Sequence, residues 1–313
     1  MKLASKVSYK PIPTQTALGE LANPLGLAAG YDKTGRFLRS LSKLGFGYIV
    51  AGTFTRSPLG GNPKPRVARN KGEHTLVNAL GFPNPGIDGF IANLTSSVQS
   101  KVPIVASISG STVDDILYCY SKVQPHVSGV ELNLSSPNTP ALKDLREPPS
   151  FAELAEAMNP ARKKPTYLKV PPYAEEGEFK DTLENVKTWA SLGFTGVTAS
   201  NSLRVSDARM AIGTGGFSGP PLLEHTKAAL VKIRSSVTPP FEINACGGVS
   251  SPADALSLLE MGATTVQVFT ALVYQGPSLM RRILNDPSLR AAIEARTVRS
   301  RAALQPEGTR TSA

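Results

Sequence analysis

The sequence lacks any apolar run long enough to cross a membrane. None of its 313 residues falls in a stretch of about 18 consecutive apolar side chains, which opposes a transmembrane helix. The first twenty or so residues also lack the apolar core of a signal peptide, so nothing argues for export. From these absences we expect a cytoplasmic protein with no stable membrane insertion.

Cysteine and histidine are scarce. Cys119 and Cys246 are too few for a disulfide framework. The three histidines, His74, His126 and His225, are scattered, and neither HExxH nor CxxC occurs. We therefore expect no metal site, and no iron–sulfur cluster held by this chain.

Aromatic residues make up only 6% of the chain, although its net charge is +10. The basic residues are spread along the sequence, with the densest groups at 162–164 and 297–301. So few aromatic side chains leave little for base stacking, and we expect no nucleic-acid binding. An anionic small substrate or an acidic protein partner fits the positive charge as well.

The sequence does contain a repeated alternation of short apolar runs and helical patterns. The runs are almost continuously apolar, which is typical of parallel strands buried on both faces. Eight candidate strands are found, at 25–30, 47–52, 103–109, 129–134, 166–170, 196–200, 241–246 and 264–269.

Helical patterns lie between many of these runs, at 36–45, 113–124, 179–193, 222–236 and 252–262. Strands that alternate with helices predict an α/β protein, a (β/α)8 TIM barrel with long active-site loops at its C-terminal face. A doubly wound open sheet is the alternative fold. It normally carries a GxGxxG fingerprint after the first strand, and GLAAGYDKTG does not match that pattern.

We expect a single TIM-barrel domain over residues 1–313, with the barrel at about 23–295 and a frayed tail at about 300–313. Three long connections, 53–102, 135–165 and 201–221, begin at the C-terminal ends of strands. Barrel enzymes build their sites at that end.

Lys169 is the sharpest single feature, because it lies inside a predicted core strand between Leu168 and Val170. A buried ammonium must find a partner or lose its proton. Three interpretations stay open: a lysine that reaches solvent at the rim, a cation held against an electron-rich cofactor or an anionic intermediate, and a Schiff-base lysine.

Glycines follow the seventh and eighth candidate strands. Gly247 and Gly248 in ACGGVSS, with FTA further on, supply free backbone N–H groups that favour a phosphate site, although a tight turn is the alternative. In NALGFPNPGID, Asn78 and Asn84 offer amides that could bind a ring with carbonyl and N–H groups.

Together the motifs are similar to those of the dihydroorotate dehydrogenases, FMN enzymes of pyrimidine synthesis. The resemblance runs from about Asn23 to Pro277. It rests on NPLGLAAGYDKTG, GNPKPR, NALGFPNPGID, ELNLSSPNTP, LKVPPY, TGGFSGPPL, ACGGVSS and VQVFTALVYQGP, in that order along the chain.

The resemblance implies oxidation of (S)-dihydroorotate to orotate, with proton removal from C5 and hydride transfer from C6 to N5 of FMN. It places Ser136 at the position of the catalytic base. Substrate-binding positions fall on Lys33, Asn78, Leu80, Gly81, Phe82, Asn133, Asn138, Asn201 and Ser202. Cofactor positions fall on Ala29, Gly30, Lys33, Thr53, Ser107, Asn133, Lys169, Ser200, Gly219, Gly247, Gly248, Phe269 and Thr270.

The sequence mixes features of two branches of that family. The soluble branch usually has cysteine as its base, whereas Ser136 resembles the membrane-bound, quinone-using branch. That branch has an N-terminal helical extension, but only about 22 residues precede the first candidate strand, with Pro11 and Pro13 opposing a helix. We therefore expect an enzyme that passes electrons to a separate acceptor, with an electron-transfer subunit as one candidate, and a homodimer or hetero-oligomer.

Other functions stay open at this point. A related flavin-dependent pyrimidine or uridine reductase would usually keep cysteine as its acid, which Ser136 opposes. A Schiff-base aldolase or lyase would use Lys169 as its nucleophile. A non-catalytic barrel subunit would not need so many polar residues at its strand ends.

Overall fold

The computed structural model describes residues 8–97, 102–139 and 142–303. Eight parallel strands close into a barrel in the order β3, β4, β7, β8, β9, β10, β13 and β14. Their bounds are Leu25–Leu27, Tyr48–Phe54, Ile104–Ile108, Gly129–Asn133, Thr166–Val170, Gly196–Ala199, Glu242–Cys246 and Thr265–Val268. All eight predicted strands, and the barrel they predict, are confirmed.

Helices surround the barrel. Their bounds are α1 Leu38–Leu41, α2 Gly86–Ser97, α3 Val113–Val123, α4 Pro148–Met158, α5 Glu176–Ser191, α6 Leu222–Arg234, α7 Pro252–Glu260, α8 Thr270–Gln275, α9 Ser278–Leu284 and α10 Pro287–Ala303. The five predicted helical patterns correspond to α1, α3, α5, α6 and α7. Thr112 and Ser251 cap α3 and α7, since each side chain accepts a backbone N–H of the first turn.

The space between barrel and helices is filled with apolar side chains. The ring of Trp189 on α5 is fully buried and stacks on Phe194, with ring centroids 3.6 Å apart. Burial of one large apolar side chain stabilises a fold by about 1.5–3 kcal/mol. Contacts of this kind fix the helices against the strands and hold the strand ends in place.

A hairpin closes the N-terminal end of the barrel. Its strands are β1 Thr14–Thr16 and β2 Gly19–Leu21. Leu21 packs inside the barrel against Tyr48, and the backbone N–H of Ala17 donates to Glu242 Oε1 at 2.7 Å. Within the described residues this end is therefore sealed, and the cavity that could take a ligand opens at the C-terminal end.

A second sheet forms from segments that the sequence indicated only as long connections. Its strands are β5 Val67–Asn70, β6 Thr75–Asn78, β11 Leu203–Ser206 and β12 Thr214–Ser218, arranged antiparallel in the order β11, β12, β6, β5. This small sheet lies at the C-terminal mouth of the barrel and supplies part of its wall.

The tail from about residue 300 stays a prediction, and α10 extends to Ala303. Residues 304–313 lie outside the described part of the chain. Among the described residues, no helix combines the length and apolar character that a membrane crossing requires. The domain boundaries at about 23–295 stay a prediction.

Candidate active site

A cavity of about 540 Å³ opens at the C-terminal end of the barrel. Strand ends of the barrel form its floor and the small sheet forms one wall. Every residue predicted to bind substrate or cofactor, or to act as base, lines this cavity, with the exception of Ser107. Residues far apart in sequence therefore meet around one space of ligand size.

Two predicted polar residues lie behind the wall. Ser107 is fully buried on β7, and its Oγ lies 3.1 Å from Thr53 Oγ1, so it supports Thr53. Asn84 binds its own loop instead: its Oδ1 accepts the N–H of Gly86 at 2.8 Å and its Nδ2 donates to Phe82 O at 2.7 Å. The expectation that Asn84 offers a free amide to a ligand is wrong, because both ends of that amide are used locally.

The floor contains a fixed chain of amides and hydroxyls. Asn133 Nδ2, at the end of β8, donates to Thr53 Oγ1 at 2.9 Å. Asn201 Nδ2, just after β10, donates to Asn133 Oδ1 at 3.3 Å and to Ser135 Oγ at 3.1 Å. These bonds hold the two asparagine side chains in defined orientations before any ligand binds.

Ser136 lies in the turn that follows β8 and is 7% exposed. Its Oγ accepts the backbone N–H of Asn138 at 3.3 Å and the hydroxyl of Thr139 at 3.2 Å. Two donors directed at one hydroxyl oxygen lower the cost of negative charge on it, which develops when the hydroxyl gives up its own proton so that it can accept another. Thr139 is only half-buried, so it links Ser136 to the outside of the site.

The amide of Asn138 connects the barrel to the small sheet. Its Nδ2 donates to the backbone carbonyl of Asn78 at 2.9 Å, while its buried Oδ1 has no hydrogen-bond partner in the described part of the chain. An unpaired buried acceptor is costly, so this oxygen is suited to receive a donor from a ligand.

Lys169 is 6% exposed, and its Nζ lies 4.0 Å from Glu131 Oε1. Burial by itself would lower the pKa of Lys169, but the Glu131 carboxylate and Cys246 act in the other direction, and the net effect raises it. Lys169 therefore remains an ammonium ion at neutral pH. This opposes a Schiff-base mechanism, which needs the neutral amine.

Lys33 lies in the loop after β3 and lines the same cavity. Burial, followed by repulsion from Lys169 and Arg66, lowers the pKa of Lys33 from 10.5 to about 8. The Lys33 side chain is mostly protonated at neutral pH, and it loses its proton as the pH rises through about 8. Two ammonium groups at one cavity favour anionic ligands.

The glycines after β13 allow two backbone segments to approach closely. Gly248 has φ 79°, and a Cβ atom there would lie 2.2 Å from the backbone N of Leu223 at the start of α6. Gly247 has φ 134°, and its Cβ would lie 2.4 Å from Thr226 Oγ1. A side chain at either position would collide with α6, so both positions require glycine, and this glycine cradle presents backbone groups to the cavity that it lines, which suits a phosphate.

FMN, implied by the resemblance, fits the residues that are present. The glycine cradle suits its phosphate, and buried Lys169 with the amide chain suits a polar ring system. Gln267 Oε1, on the floor, is another buried acceptor that lacks a partner within the described residues, and it fits a ring N–H.

Several lining residues were not predicted from the sequence. Tyr31, Arg69, Ser218, Cys246 and Gln267 all line the cavity. Gln267 is a polar residue within an apolar strand, as Lys169 is, and could have been predicted on the same ground. No feature of the sequence indicated Arg69, because the strand that places it was itself not predicted.

Comparisons with known proteins agree with this geometry. A family model described as "Dihydroorotate dehydrogenase" matches residues 13–288. A protein named "Dihydroorotate dehydrogenase (quinone)" from Acidovorax sp. (strain JS42) is 35% identical in an alignment 297 residues long, and the alignment covers 86% of this chain and 84% of that protein. One of the same name from Polaromonas naphthalenivorans (strain CJ2) is 34% identical in an alignment 309 residues long, with coverages of 90% of this chain and 87% of the relative.

Solved structures have the same architecture. The ligand-free type DHODH from Eimeria tenella aligns with a TM-score of 0.81 at 23% identity, covering 96% of this chain and 91% of that one. The DHODH from Eimeria tenella in complex with ferulenol aligns with a TM-score of 0.79 at 22% identity, covering 94% and 88%. These likenesses support the fold, and the family match extends over most of the chain. The chain belongs to the dihydroorotate dehydrogenase family.

Proposed function

We propose that the protein oxidises (S)-dihydroorotate to orotate in pyrimidine biosynthesis, with Ser136 as the base that removes the C5 proton. The observation that carries this proposal is the setting of Ser136: its oxygen receives two hydrogen bonds and lines a cavity that also holds Lys169. A hydroxyl is a weak base by itself, and such donors reduce the cost of charge on its oxygen.

The substrate is bound by one cation and a set of amides. Lys33 pairs with the carboxylate of the substrate, because of the two lysines that line the cavity it is the one without a carboxylate partner among the described residues. Asn133 and Asn201 bind the ring from the floor, and Asn78 and Asn138 bind it from the side of the small sheet. The segment Leu80–Phe82 and Ser202 complete the wall.

FMN bound in this cavity would supply the acceptor for the hydride that leaves C6 of the substrate. Gly247, Gly248 and Thr270 would hold its phosphate, and the ammonium of Lys169 would face its ring system and offset negative charge there. The remaining contacts come from side chains and backbone along the same wall, which are Ala29, Gly30, Thr53, Ser200, Gly219 and Phe269.

When Ser136 Oγ takes the C5 proton, its own hydroxyl proton passes to Thr139 Oγ1, and the Thr139 hydroxyl turns from Ser136 to give its proton to the solvent side. That hydroxyl is 3.2 Å from Ser136 Oγ and belongs to a half-buried residue, so it is the neighbouring group through which solvent can be reached. An ordered water beyond Thr139 would complete the path.

We propose quinone as the electron acceptor. The names of the relatives support it, since the curated proteins from Acidovorax, Polaromonas and Neisseria gonorrhoeae are all called quinone enzymes. The separate electron-transfer subunit, the homodimer and the cytoplasmic location expected from the sequence stay predictions.

A product assay tests the function and the acceptor together. FMN-loaded protein is incubated with dihydroorotate and, in separate reactions, with a water-soluble quinone in detergent, fumarate, NAD or no acceptor, and orotate is quantified by its ultraviolet absorbance. Multiple turnovers with quinone alone support the proposed acceptor. A single turnover with every acceptor supports the separate subunit, and no orotate in any reaction contradicts the function.

A further inference from the structure

A buried carboxylate lies directly below Lys169 in the barrel interior. Glu131 on β8 is 1% exposed, and its Oε1 lies 4.0 Å from Lys169 Nζ. That distance is too long for a hydrogen bond but within ion-pair range. Neither carboxylate oxygen has a hydrogen-bond partner among the residues that the structure describes.

The register of the strands explains this arrangement. On the neighbouring strands β8 and β9, Asn133 pairs with Lys169 and Glu131 pairs with Tyr167. Glu131 therefore lies one inward-facing position closer to the sealed end than Asn133 does. Lys169 lines the cavity and Glu131 does not, so the order along the barrel axis is cavity, ammonium, carboxylate.

Glu131 has no other source of charge compensation in the described residues. The buried polar atoms Thr198 Oγ1 and Gln267 Oε1 are themselves unpartnered, and Lys169 is the one cation paired with this carboxylate. A charge buried in a protein interior becomes neutral unless an opposite charge lies near it. The Glu131 carboxylate therefore supplies the compensation that the buried ammonium of Lys169 needs.

We propose that Glu131 is a positioning residue that keeps Lys169 charged and directed at the cofactor. This inference rests on the proposed function, because that function places Lys169 against FMN. Glu131 itself touches neither the substrate nor the cofactor and acts only through the lysine. The other titratable groups that face the pair are Lys33, Cys246 and Tyr48.

Neutralising Glu131 should make the charge of Lys169 depend on pH. A buried lysine without a counter-charge titrates lower than usual by up to about 3–5 units, so it loses its proton within or below the mildly alkaline range. In the native protein the raised pKa of Lys169 keeps it charged over that range. The Glu131→Gln protein should therefore bind FMN more weakly than the native one, and its affinity should reach the level of an uncharged side chain at position 169 at or before the alkaline end.

The test is the dissociation constant of FMN from the apoprotein, measured by quenching of flavin fluorescence between about pH 7 and about pH 9.5, where the flavin phosphate stays ionised. Four proteins are compared: native, Glu131→Gln, Lys169→Met and the double variant. Glu242→Gln is the matched control, since Glu242 is also buried in the barrel but binds Tyr167 and Ala17 at the sealed end. This readout does not need turnover.

We expect the Glu131→Gln constant to reach the Lys169→Met value at the alkaline end, with the double variant no weaker than Lys169→Met alone. The control should follow the native pH profile. The proposal is overturned if Glu131→Gln keeps the native affinity for FMN at every pH measured, or if the losses of the two single variants simply multiply in the double variant, which would mean independent sites.

A variant that does not fold also tests the proposed role of Glu131. If Glu131→Gln does not fold but the double variant does, the pair is confirmed as mutually compensating. If the double variant also fails, Glu131 serves the fold and not the lysine, and the proposal is wrong. A native protein that binds no FMN, or whose flavin dihydroorotate does not reduce, would instead contradict the proposed function.

Discussion

Asn138 Nδ2 donates to the backbone carbonyl of Asn78 at 2.9 Å, across a sequence separation of 60 residues. The bond joins the turn after β8 to the end of β6, and so attaches the small sheet to the barrel. The same bond fixes the orientation of the Asn138 amide, whose Oδ1 is buried in the site without a hydrogen-bond partner among the described residues. One side chain thus closes the wall and presents an acceptor to the ligand.

Replacing Asn138 by alanine should weaken binding of dihydroorotate more than it slows the chemistry. One hydrogen bond to a ligand contributes about 0.5–1.5 kcal/mol, or roughly 2- to 12-fold in affinity. Steady-state kinetics should show that rise in KM. Asn159→Ala, in the short 3-10 helix after α4, is the control and should leave KM unchanged. An unchanged KM in the Asn138 variant would remove it from the substrate site.

Ser136→Ala should slow reduction of the flavin by dihydroorotate by about 10²–10⁴, the usual contribution of a positioned general base. Stopped-flow absorbance under anaerobic conditions measures this step directly. Ser135→Ala is the matched control: it loses one hydrogen bond from Asn201 but no base, so a loss below about tenfold is expected. Equal losses in the two variants would mean that Ser136 is not the base.

Binding of orotate should weaken as the pH rises through about 8. Lys33 has a pKa lowered to about 8, so its ammonium form is present below that pH and is lost above it. The carboxylate of orotate stays ionised throughout, and affinity should fall by up to about tenfold per pH unit above the break. Isothermal titration at several pH values measures this. Lys33→Met should bind weakly and without the break, whereas a break that persists there belongs to another group.

Gly248→Ala should reduce FMN affinity by more than about tenfold and lower the melting temperature, because its Cβ would lie 2.2 Å from the backbone of Leu223 at φ 79°. Fluorescence titration and thermal unfolding measure the two effects. Gly213→Ala is the control, since Gly213 has φ 70° but nothing within 4 Å of the added atom. If both variants bind FMN equally, the cradle does not hold the phosphate.

Much of the barrel could be predicted from the sequence because its strands are buried on both faces. A strand such as β9, with five buried residues in succession, gives a continuous apolar run. The small sheet gives no such run: β5 and β11 are only four residues long and largely exposed, so their pattern is indistinguishable from a loop. Their pairing is decided by contacts distant in sequence, which local patterns do not report.

Some residues of the site could likewise be predicted from the sequence, and others could not. Lys169 and Ser136 could be identified because polar residues at strand ends are conspicuous against an apolar core. Ser107 has that signal too, yet it lies behind Thr53, because the rotation of neighbouring strands decides which hydroxyl reaches the cavity. Asn84 looks like Asn78 in the sequence, and only the path of its loop shows that its amide is already used.

The most direct test of the central claim is one anaerobic titration. FMN-loaded protein is mixed with increasing dihydroorotate without any acceptor, and the visible absorbance of the flavin is followed. We expect the yellow colour of the flavin to be lost in proportion to the dihydroorotate added. The end point should be one equivalent per flavin, with one orotate formed for each flavin reduced. Flavin that stays oxidised in the presence of excess dihydroorotate would contradict it.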